Sequence, residues 1–231
     1  MAALYEARNL TKSYDGRTVL DVRYLCLDEG GCSALIGPNG SGKSTLLELL
    51  AGLTAPTTGA TVYRGRKMSG ADSLAGEVTL ALQHPYMFRG TVRDNVEYGL
   101  RVRRLPRSEM NGRVERCLAA FGLLDLADRG ARGLSGGETQ LVSLARALAP
   151  ETRVVLLDEP LSYVDANHQE LITAAIREIR ADGRTVVVAA HDLNGLRPVV
   201  DRVIPIEGGR CRTASLNSMK PNEGCSIYDL A

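Results

Sequence analysis

Three short runs of the sequence, at 33–36, 154–157 and 186–190, lack the alternation of apolar and polar residues that marks a half-exposed strand. Strands that are apolar on both sides are buried on both faces, as in parallel sheets covered by helices. The segment ELITAAIREIRADG, at 170–183, has apolar residues at helical spacing and ends at a glycine, which predicts an amphipathic helix between the second and third runs. Together these features predict an α/β fold with a mostly parallel sheet.

The rest of the chain differs in pattern from this core. The first thirty residues alternate and contain turns at Asp15-Gly16 and Gly30-Gly31, which predicts an N-terminal antiparallel β subdomain. Residues 85–149 are rich in arginine and leucine at helical spacing, which predicts an inserted α-helical subdomain. We therefore expect a single domain over 1–231, with a core formed by 1–84 and 150–210 and a short polar tail at 211–231.

Charge and hydropathy argue against several functional classes. The 231 residues carry a formal net charge of +1, whereas nucleic-acid-binding domains usually have a basic excess. A basic run is interpreted as a solvated helix face, or an edge near anionic lipid, rather than a nucleic-acid groove; it consists of Arg101, Arg103, Arg104 and Arg107. No apolar stretch reaches the length of a membrane-spanning helix, and the N-terminus MAALYEARNL has no signal-peptide pattern. We therefore expect any role at a membrane to depend on a partner.

The stretch GPNGSGKST, at 37–45, matches G-x-x-x-x-G-K-[ST] and lies between an apolar run and a predicted helix. Backbone N–H groups of such a loop, with the N-terminus of the helix, can bind phosphates. Lys43 would contact the β- and γ-phosphates, where a compact charge fits better than a planar guanidinium, and the Ser44 hydroxyl would ligate Mg²⁺. The core is therefore expected to be that of a P-loop NTPase, with a phosphate-binding loop formed by Gly37, Pro38, Asn39, Gly40, Ser41, Gly42, Lys43, Ser44 and Thr45.

A second motif, VVLLDE, ends an apolar run in two carboxylates. Asp158 closes a predicted buried strand, where a carboxylate can hold Mg²⁺. Glu159 follows outside the sheet and can polarise an attacking water as a general base. A strand-end Asp-Glu pair alone is more often a solvated turn, but the phosphate-binding loop favours the catalytic interpretation.

The segment LSGGETQLVSLARALA, at 134–149, poses a question about helix starts. Ser135 and Glu138 form a capping-box pattern ahead of a helical apolar stripe. Gly136 and Gly137 are poor helix formers, each costing roughly 1 kcal/mol relative to alanine, and capping does not require them. Because exposed N–H groups at a helix N-terminus attract anions, we interpret the two glycines as leaving room for a phosphate.

Taken together, GPNGSGKST, LSGGE and VVLLDE make the chain resemble the ATP-binding cassette (ABC) ATPases from about residue 4 to residue 210. The resemblance implies ATP and Mg²⁺ as cofactors and hydrolysis of ATP to ADP and phosphate. It also implies a head-to-tail homodimer that holds two ATP molecules, each between the phosphate-binding loop of one chain and the signature segment (Ser135, Gly136 and Gly137) of the other. Two departures concern this interface: Thr139 and Leu141 replace the usual Gln and Arg, and residues 162–165 are Ser-Tyr-Val-Asp instead of Ser-Ala-Leu-Asp.

The resemblance assigns roles to four more residues. Tyr14 would stack on the adenine ring, and Gln83, at the end of a strand predicted over 77–83, would reach the Mg²⁺ site and link it to the helical subdomain. Asp165 would lie in a loop that crosses the dimer interface. His191 would contact the γ-phosphate, so that Glu159, His191 and Gln83 form the catalytic set. Three of these also have plain structural interpretations, as a loop tyrosine, a capped strand end and a strand-end histidine.

Two functions remain open from the sequence. In the first, the chain is a peripheral ATPase at the cytoplasmic face of a membrane, working with separate membrane-spanning permease subunits and a solute-binding protein. The stretch QHPYMFRGTVRDNVEYGLRVR resembles importer ATPases, including those for phosphate, molybdate and tungstate. Phe88 in this stretch either packs in the core or lines a groove that receives a helix of the membrane subunit. In the second, the chain is a soluble ABC ATPase with a non-transport role such as iron–sulfur cluster assembly; the apolar cluster at 85–88 favours the transporter.

Overall fold

A computed structural model describes residues 3–68, 74 and 76–211 of the chain. Two short 3₁₀ turns, at Leu124–Leu126 and Ala131–Gly133, precede the fourth helix. In chain order the helices and strands are β1 (Ala3–Tyr14), β2 (Arg17–Asp28), β3 (Cys32–Ile36), α1 (Lys43–Leu50), β4 (Thr58–Tyr63), β5 (Arg66–Lys67), β6 (Val78–Ala81), α2 (Val92–Val102), α3 (Arg107–Ala120), α4 (Gly136–Leu148), β7 (Val154–Asp158), α5 (Ala166–Ala181), β8 (Thr185–Ala190), β9 (Arg202–Glu207) and β10 (Arg210–Cys211).

The N-terminal part forms a four-stranded antiparallel sheet in the order β2-β1-β4-β5. β1 and β2 are joined by a two-residue turn in which Asp15 and Gly16 have φ of 49° and 77°. Positive φ at both positions matches the right-handed twist of the paired strands, which explains why Asp-Gly closes this hairpin. The predicted antiparallel β subdomain is present.

The central sheet has six strands in the order β10-β9-β3-β8-β7-β6. The five strands from β9 to β6 are parallel to their neighbours, and β10 is antiparallel to β9. The three apolar runs become β3, β7 and β8, which pair in the middle of the sheet. The sequence pattern did not mark β9, because Pro205 interrupts its short apolar alternation.

Each middle strand is apolar throughout because its two faces contribute to two different cores. In β7, Val155 and Leu157 belong to the core shared with the helical segment. Val154 and Leu156 belong to a second core, which also contains residues of α1, β1 and β2. Both sides of the sheet are therefore sealed from water, and the carboxyl ends of the strands are left as the accessible edge where side chains can meet.

The segment predicted to be helical, 85–149, contains α2, α3, the 3₁₀ turns and α4. α4 packs against α2, α3 and α5, and Phe121 is buried in the core that these helices share. Within the described part of the chain there is no helix that is long and apolar enough to cross a membrane.

The predicted fold class, an α/β P-loop core with an antiparallel β part and a helical insert, is confirmed. The domain boundaries stay a prediction. The tail predicted at 211–231 lies outside the described residues from position 212 onward.

Candidate functional site

The phosphate-binding loop connects the end of β3 to the start of α1, as the motif predicted. Gly40 and Gly42 have φ of 75° and 100°, a left-handed conformation that side-chain-bearing residues rarely adopt. A Cβ added to Gly37 would lie 1.9 Å from the backbone oxygen of Ile206 on β9. Gly37 and Gly42 therefore serve backbone shape: the first lets β9 approach, and the second permits the turn into α1.

This close approach gives a stability prediction. Gly37→Ala should destabilise the fold by about 3 kcal/mol, because the backbone at Gly37 and that of β9 at Ile206 would have to separate. The matched control is Gly76→Ala, since Gly76 is exposed, has no positive φ, and a Cβ added to it would have no atom within 4 Å. Urea unfolding monitored by circular dichroism would compare the stabilities of the two variants. Equal midpoints would show that the backbone near Ile206 can accommodate the added methyl group at little cost.

Lys43 is buried at the first position of α1 and is held by its own loop. Its Nζ donates to the carbonyl oxygens of Gly37 at 2.7 Å and Pro38 at 3.1 Å. The same nitrogen lies 3.5 Å from Oε1 of Glu159, which is also buried. A compact ammonium group donates to two carbonyl oxygens here and lies at ion-pair distance from a carboxylate oxygen, which supports the argument that lysine suits the position better than arginine.

Asp158 ends β7 beside the start of α1. The Ser44 hydroxyl lies close enough to its carboxylate to influence its ionisation, so the two residues predicted to hold Mg²⁺ are neighbours. Burial raises the pKa of Asp158 above its ordinary value, while the Ser44 hydroxyl and the charge of Lys43 act in the opposite direction. Its Oδ1 is buried and accepts no hydrogen bond. A divalent cation would satisfy this oxygen and stabilise the ionised carboxylate.

Glu159 follows in a left-handed conformation, with φ of 49°, and its N–H donates to the carbonyl of Ala189 on β8. This turn directs its carboxylate out of the sheet. Oε2 accepts a hydrogen bond from the Ser162 hydroxyl at 3.2 Å and lies 3.3 Å from Nδ1 of His191. A carboxylate held by two partners on one oxygen, with the other 3.5 Å from Lys43, is fixed in position for proton transfer.

A cavity of about 480 Å³, here called the site cavity, brings several predicted residues together from separate elements. Gln83 lies two residues beyond the end of β6, so the strand predicted over 77–83 is shorter than expected. His191 directly follows β8. Since parallel strands end at the same edge, their terminal residues converge, and the cavity is lined by Asn39, Gln83, Glu159, His191, Ser162 and Tyr163.

The signature segment takes the predicted cap. Ser135 Oγ accepts from the Glu138 N–H at 3.2 Å, and Glu138 Oε2 accepts from the Ser135 N–H at 2.7 Å. Ser135 and Gly136 are exposed. Among the described residues, those that line the site cavity do not include 135–137 or Asp165, so one chain does not bring these groups into the same cavity.

The two glycines differ from each other in a way that the sequence did not reveal. A Cβ on Gly136 would have no atom within 4 Å, whereas a Cβ on Gly137 would lie 3.0 Å from Nδ1 of His168. The space beside Gly136 is therefore open within the described part of the chain, and its use by a phosphate stays a prediction. At Gly137, the missing side chain also makes room for an imidazole of the same chain.

Tyr14 and Asp165 lie at the ends of regular elements. Tyr14 ends β1 and is 45% exposed as a residue, and Lys12 Nζ lies 5.0 Å from the centroid of its ring. Asp165 caps the N-terminus of α5. An exposed ring can accept a stacked base, but Tyr14 is outside the site cavity, and its adenine role stays a prediction.

Sequence reasoning missed Ser162, which bonds Glu159, and His168, which lies against Gly137. Ser162 had a usable signal, because it lies three residues after Glu159 in a predicted turn. His168 had none, because its neighbour in space is about thirty residues away along the chain.

The residues present fit a magnesium-bound nucleotide. Three buried side-chain oxygens in the region accept or donate no hydrogen bond: Ser41 Oγ, Asp158 Oδ1 and Glu159 Oε1. Ser44 and Asp158 would hold the ion, with Gln83 able to approach from the site cavity. When bound, Mg²⁺ neutralises charge on phosphate oxygens, and the protein contributes position and a proton acceptor.

Comparison with known proteins agrees with this geometry. A family model described as ABC transporter matches residues 20–162. The tungstate uptake system ATP-binding protein of Peptoclostridium acidaminophilum is 36% identical over 203 residues, which cover 87% of this chain and 94% of that protein. A sulfate/thiosulfate import ATP-binding protein of Thermosynechococcus vestitus is 37% identical over 204 residues, covering 87% of this chain but only 61% of that longer protein.

A solved ATP-binding cassette, a dimer in a post-hydrolysis state with ADP and Pi, superimposes with a TM-score of 0.81 at 28% identity. The match covers 90% of this chain and 97% of that one. ATP and Mg²⁺ as cofactors are thereby confirmed, and the transporter interpretation is favoured over iron–sulfur cluster assembly. The chain belongs to the ABC transporter family, as one of its ATP-hydrolysing subunits.

Proposed function

We propose that the chain powers the import of a small oxyanion, as the ATPase subunit of a system whose membrane-spanning and solute-binding subunits are separate proteins. The observation that carries the proposal is the match to a tungstate uptake protein over almost the full length of both chains. Sulfate, in the name of the second relative, shares with tungstate a compact, doubly charged tetrahedral form. The expected location is the cytoplasmic face of the membrane.

The residues of the site take the following roles in the proposal. The N–H groups of the phosphate-binding loop and Lys43 bind the β- and γ-phosphates, and Ser44, Asp158 and Gln83 surround the Mg²⁺. Glu159 accepts a proton from the attacking water, whose oxygen bonds to the γ-phosphorus while the bond to the ADP oxygen breaks. Ser162 orients the base, and His191 contacts the γ-phosphate.

Completion of the site by a second copy of the chain is supported by the separation of its parts. The exposed signature segment presents a capped helix N-terminus that its own site cavity does not use. An anion at such a terminus is stabilised by unpaired N–H groups and the helix dipole. ATP bound by one copy would then be closed over by Ser135, Gly136 and Gly137 of the other, with Asp165 at the same interface, and hydrolysis would loosen the pair.

A groove of about 750 Å³, here called the aromatic groove, supports the proposed contact with a membrane subunit. Phe88 is half-buried and does two things: its ring stacks on Tyr98 at 4.2 Å, and it lines the groove. Arg146 donates to the Tyr86 carbonyl at 2.8 Å and lies 5.0 Å from the Phe88 ring centroid. An apolar, aromatic-lined groove of this size suits an amphipathic helix, and its wall includes Leu80, Pro85, Tyr86, Phe88, Tyr98 and Ala147.

Removing an aromatic ring from the groove should weaken assembly without affecting the ATP site. We expect Phe88→Ala to reduce co-purification with the permease by at least about tenfold, since a buried aromatic anchor at an interface is often worth about 2 kcal/mol or more. Leu124→Ala is the matched control, because Leu124 is 50% exposed and does not line the groove. Binding of ATP to the isolated chain should be equal in both variants. Retention of the permease by Phe88→Ala would place the contact elsewhere.

The cargo is tested in the whole complex, because the ATPase itself does not contact it. The membrane-spanning and solute-binding subunits of the same system would be reconstituted with this chain in vesicles. Tungstate, molybdate, sulfate and phosphate would each be tested for stimulation of ATP hydrolysis, with ferric ion as the non-oxyanion comparison. Stimulation by ferric ion alone, or by no oxyanion, would contradict the proposed cargo class.

A further inference from the structure

His168 connects two segments that lie far apart in sequence, the signature segment and the loop that ends at Asp165. It stands in the first turn of α5, which Asp165 caps. Its imidazole occupies the space that a side chain on Gly137 would need, with Nδ1 3.0 Å and Cε1 3.2 Å from a Cβ built there. One residue therefore touches both segments that the proposed function places at the interface with a second copy.

Asp165 fixes the imidazole from the other side. Oδ1 accepts the His168 N–H at 3.0 Å, and Oδ2 lies 2.9 Å from His168 Nδ1, an ion-pair distance without the alignment of a hydrogen bond. The backbone bond from His168 lowers the pKa of Asp165, so this carboxylate is ionised at neutral pH. One carboxylate therefore bonds the backbone N–H of His168 and also contacts its ring, on the side away from solvent where the ring meets Gly137.

Electrostatic interactions around the His168 ring also involve the signature segment. Glu138, which caps the signature helix, is close enough to His168 to interact electrostatically with it. Arg129 in turn lies 3.8 Å from Glu138. With a side chain only 26% exposed, the His168 ring is packed against the start of α4 rather than extended into solvent. The ring therefore lies between the Asp165 loop and the first turn of α4.

We propose that His168 is a positioning residue, which holds the signature segment and the Asp165 loop as one unit for the second copy of the chain. The inference rests on the proposed two-chain ATP site and adds a residue to it. His168 does not line the site cavity that surrounds Glu159, and the contacts given above place it against the signature segment instead. Its proposed role therefore concerns how that segment is presented to the second copy.

Gly137 offers a direct way to test this role. If His168 is the reason for this glycine, then a methyl at Gly137 is harmful because it displaces the ring, and removing the ring should remove that harm. If the glycine is required only by an approaching phosphate, the methyl should be equally harmful with or without the ring. A double-mutant cycle separates these cases, because coupling between two residues appears as non-additivity.

The cycle is best measured in the Glu159→Gln chain, in which ATP should hold the dimer. Sedimentation velocity at increasing protein concentration, with ATP and Mg²⁺, would give dimer dissociation constants for Gly137→Ala, His168→Ala and the double variant. We expect each single variant to weaken dimerisation by about tenfold, and the double variant to be no weaker than His168→Ala. His168→Gln, which keeps a hydrogen-bonding planar group, should recover part of the loss.

Two further measurements distinguish a positioning role of His168 from a general loss of folded structure. Binding of a fluorescent ATP analogue to monomers should be unchanged in all variants, and thermal midpoints of the single variants should stay close to that of the parent. Strictly additive effects in the cycle, or normal dimerisation of His168→Ala, would contradict the proposed role of His168. The proposed two-chain site would not be affected by either result. If the Glu159→Gln parent forms no ATP-driven dimers, the proposed two-chain site is contradicted, and the inference that depends on it fails as well.

Discussion

Glu159→Gln is expected to bind ATP normally and to lose about 10²–10⁴-fold in hydrolysis rate, the usual contribution of a general base. The amide has almost the same shape as the carboxylate and can keep its contact with Ser162, but it cannot accept the proton of the attacking water. The change also removes the negative charge 3.5 Å from Lys43. ATP binding should therefore be retained or strengthened, and the dimer that ATP closes should persist.

The matched control is Glu170→Gln, an identical chemical change at an exposed position of α5. Single-turnover hydrolysis would isolate the chemical step, and size-exclusion chromatography with light scattering would report the dimer. Turnover at the parental rate in Glu159→Gln would show that another group is the base. A loss of turnover in Glu170→Gln as well would point to a general effect of charge.

Two features of the site, the phosphate-binding loop and the Asp158–Glu159 pair, could be predicted from the sequence alone. Each consists of a few adjacent residues at the end of a strand, so no contact between distant segments is needed to recognise it. Gln83 and His191 are different. Each follows a strand, but the residues around them do not indicate that β6 and β8 both pair with β7. Only the family resemblance therefore placed Gln83 and His191 beside Glu159. The parallel register then explains why their side chains reach one cavity.

Other features could not be predicted because they depend on contacts between distant segments. The steric demand at Gly37 comes from Ile206, which lies on a strand whose apolar pattern Pro205 obscures. The contact of Gly137 with His168 depends on how α4 and α5 pack. In both cases a sequence motif contained the glycine, but the contact that explains it involves a segment far away along the chain.

Gly136→Asp is expected to leave the monomer intact and to weaken ATP-driven dimerisation by at least about 100-fold. Like charges brought together at an interface cost several kcal/mol, and this carboxylate would meet the γ-phosphate held by the second copy. Gly136 suits this test better than Gly137, because a Cβ added at Gly136 would have no atom of the same chain within 4 Å. An effect on dimerisation would therefore not arise from a steric clash within the chain.

The physical chemistry of the helix makes this variant easy to interpret. An acidic residue in the first turn of α4 interacts favourably with the helix dipole, typically by about 0.3–1 kcal/mol, and replacing a helical glycine removes an entropic cost. The thermal midpoint should therefore be unchanged or slightly raised, so a lost dimer cannot be attributed to unfolding. Gly76→Asp adds the same charge at another exposed, sterically open glycine and should dimerise as the parent does. Because the proposed two-chain site brings a phosphate to position 136, normal dimerisation of Gly136→Asp would refute that site.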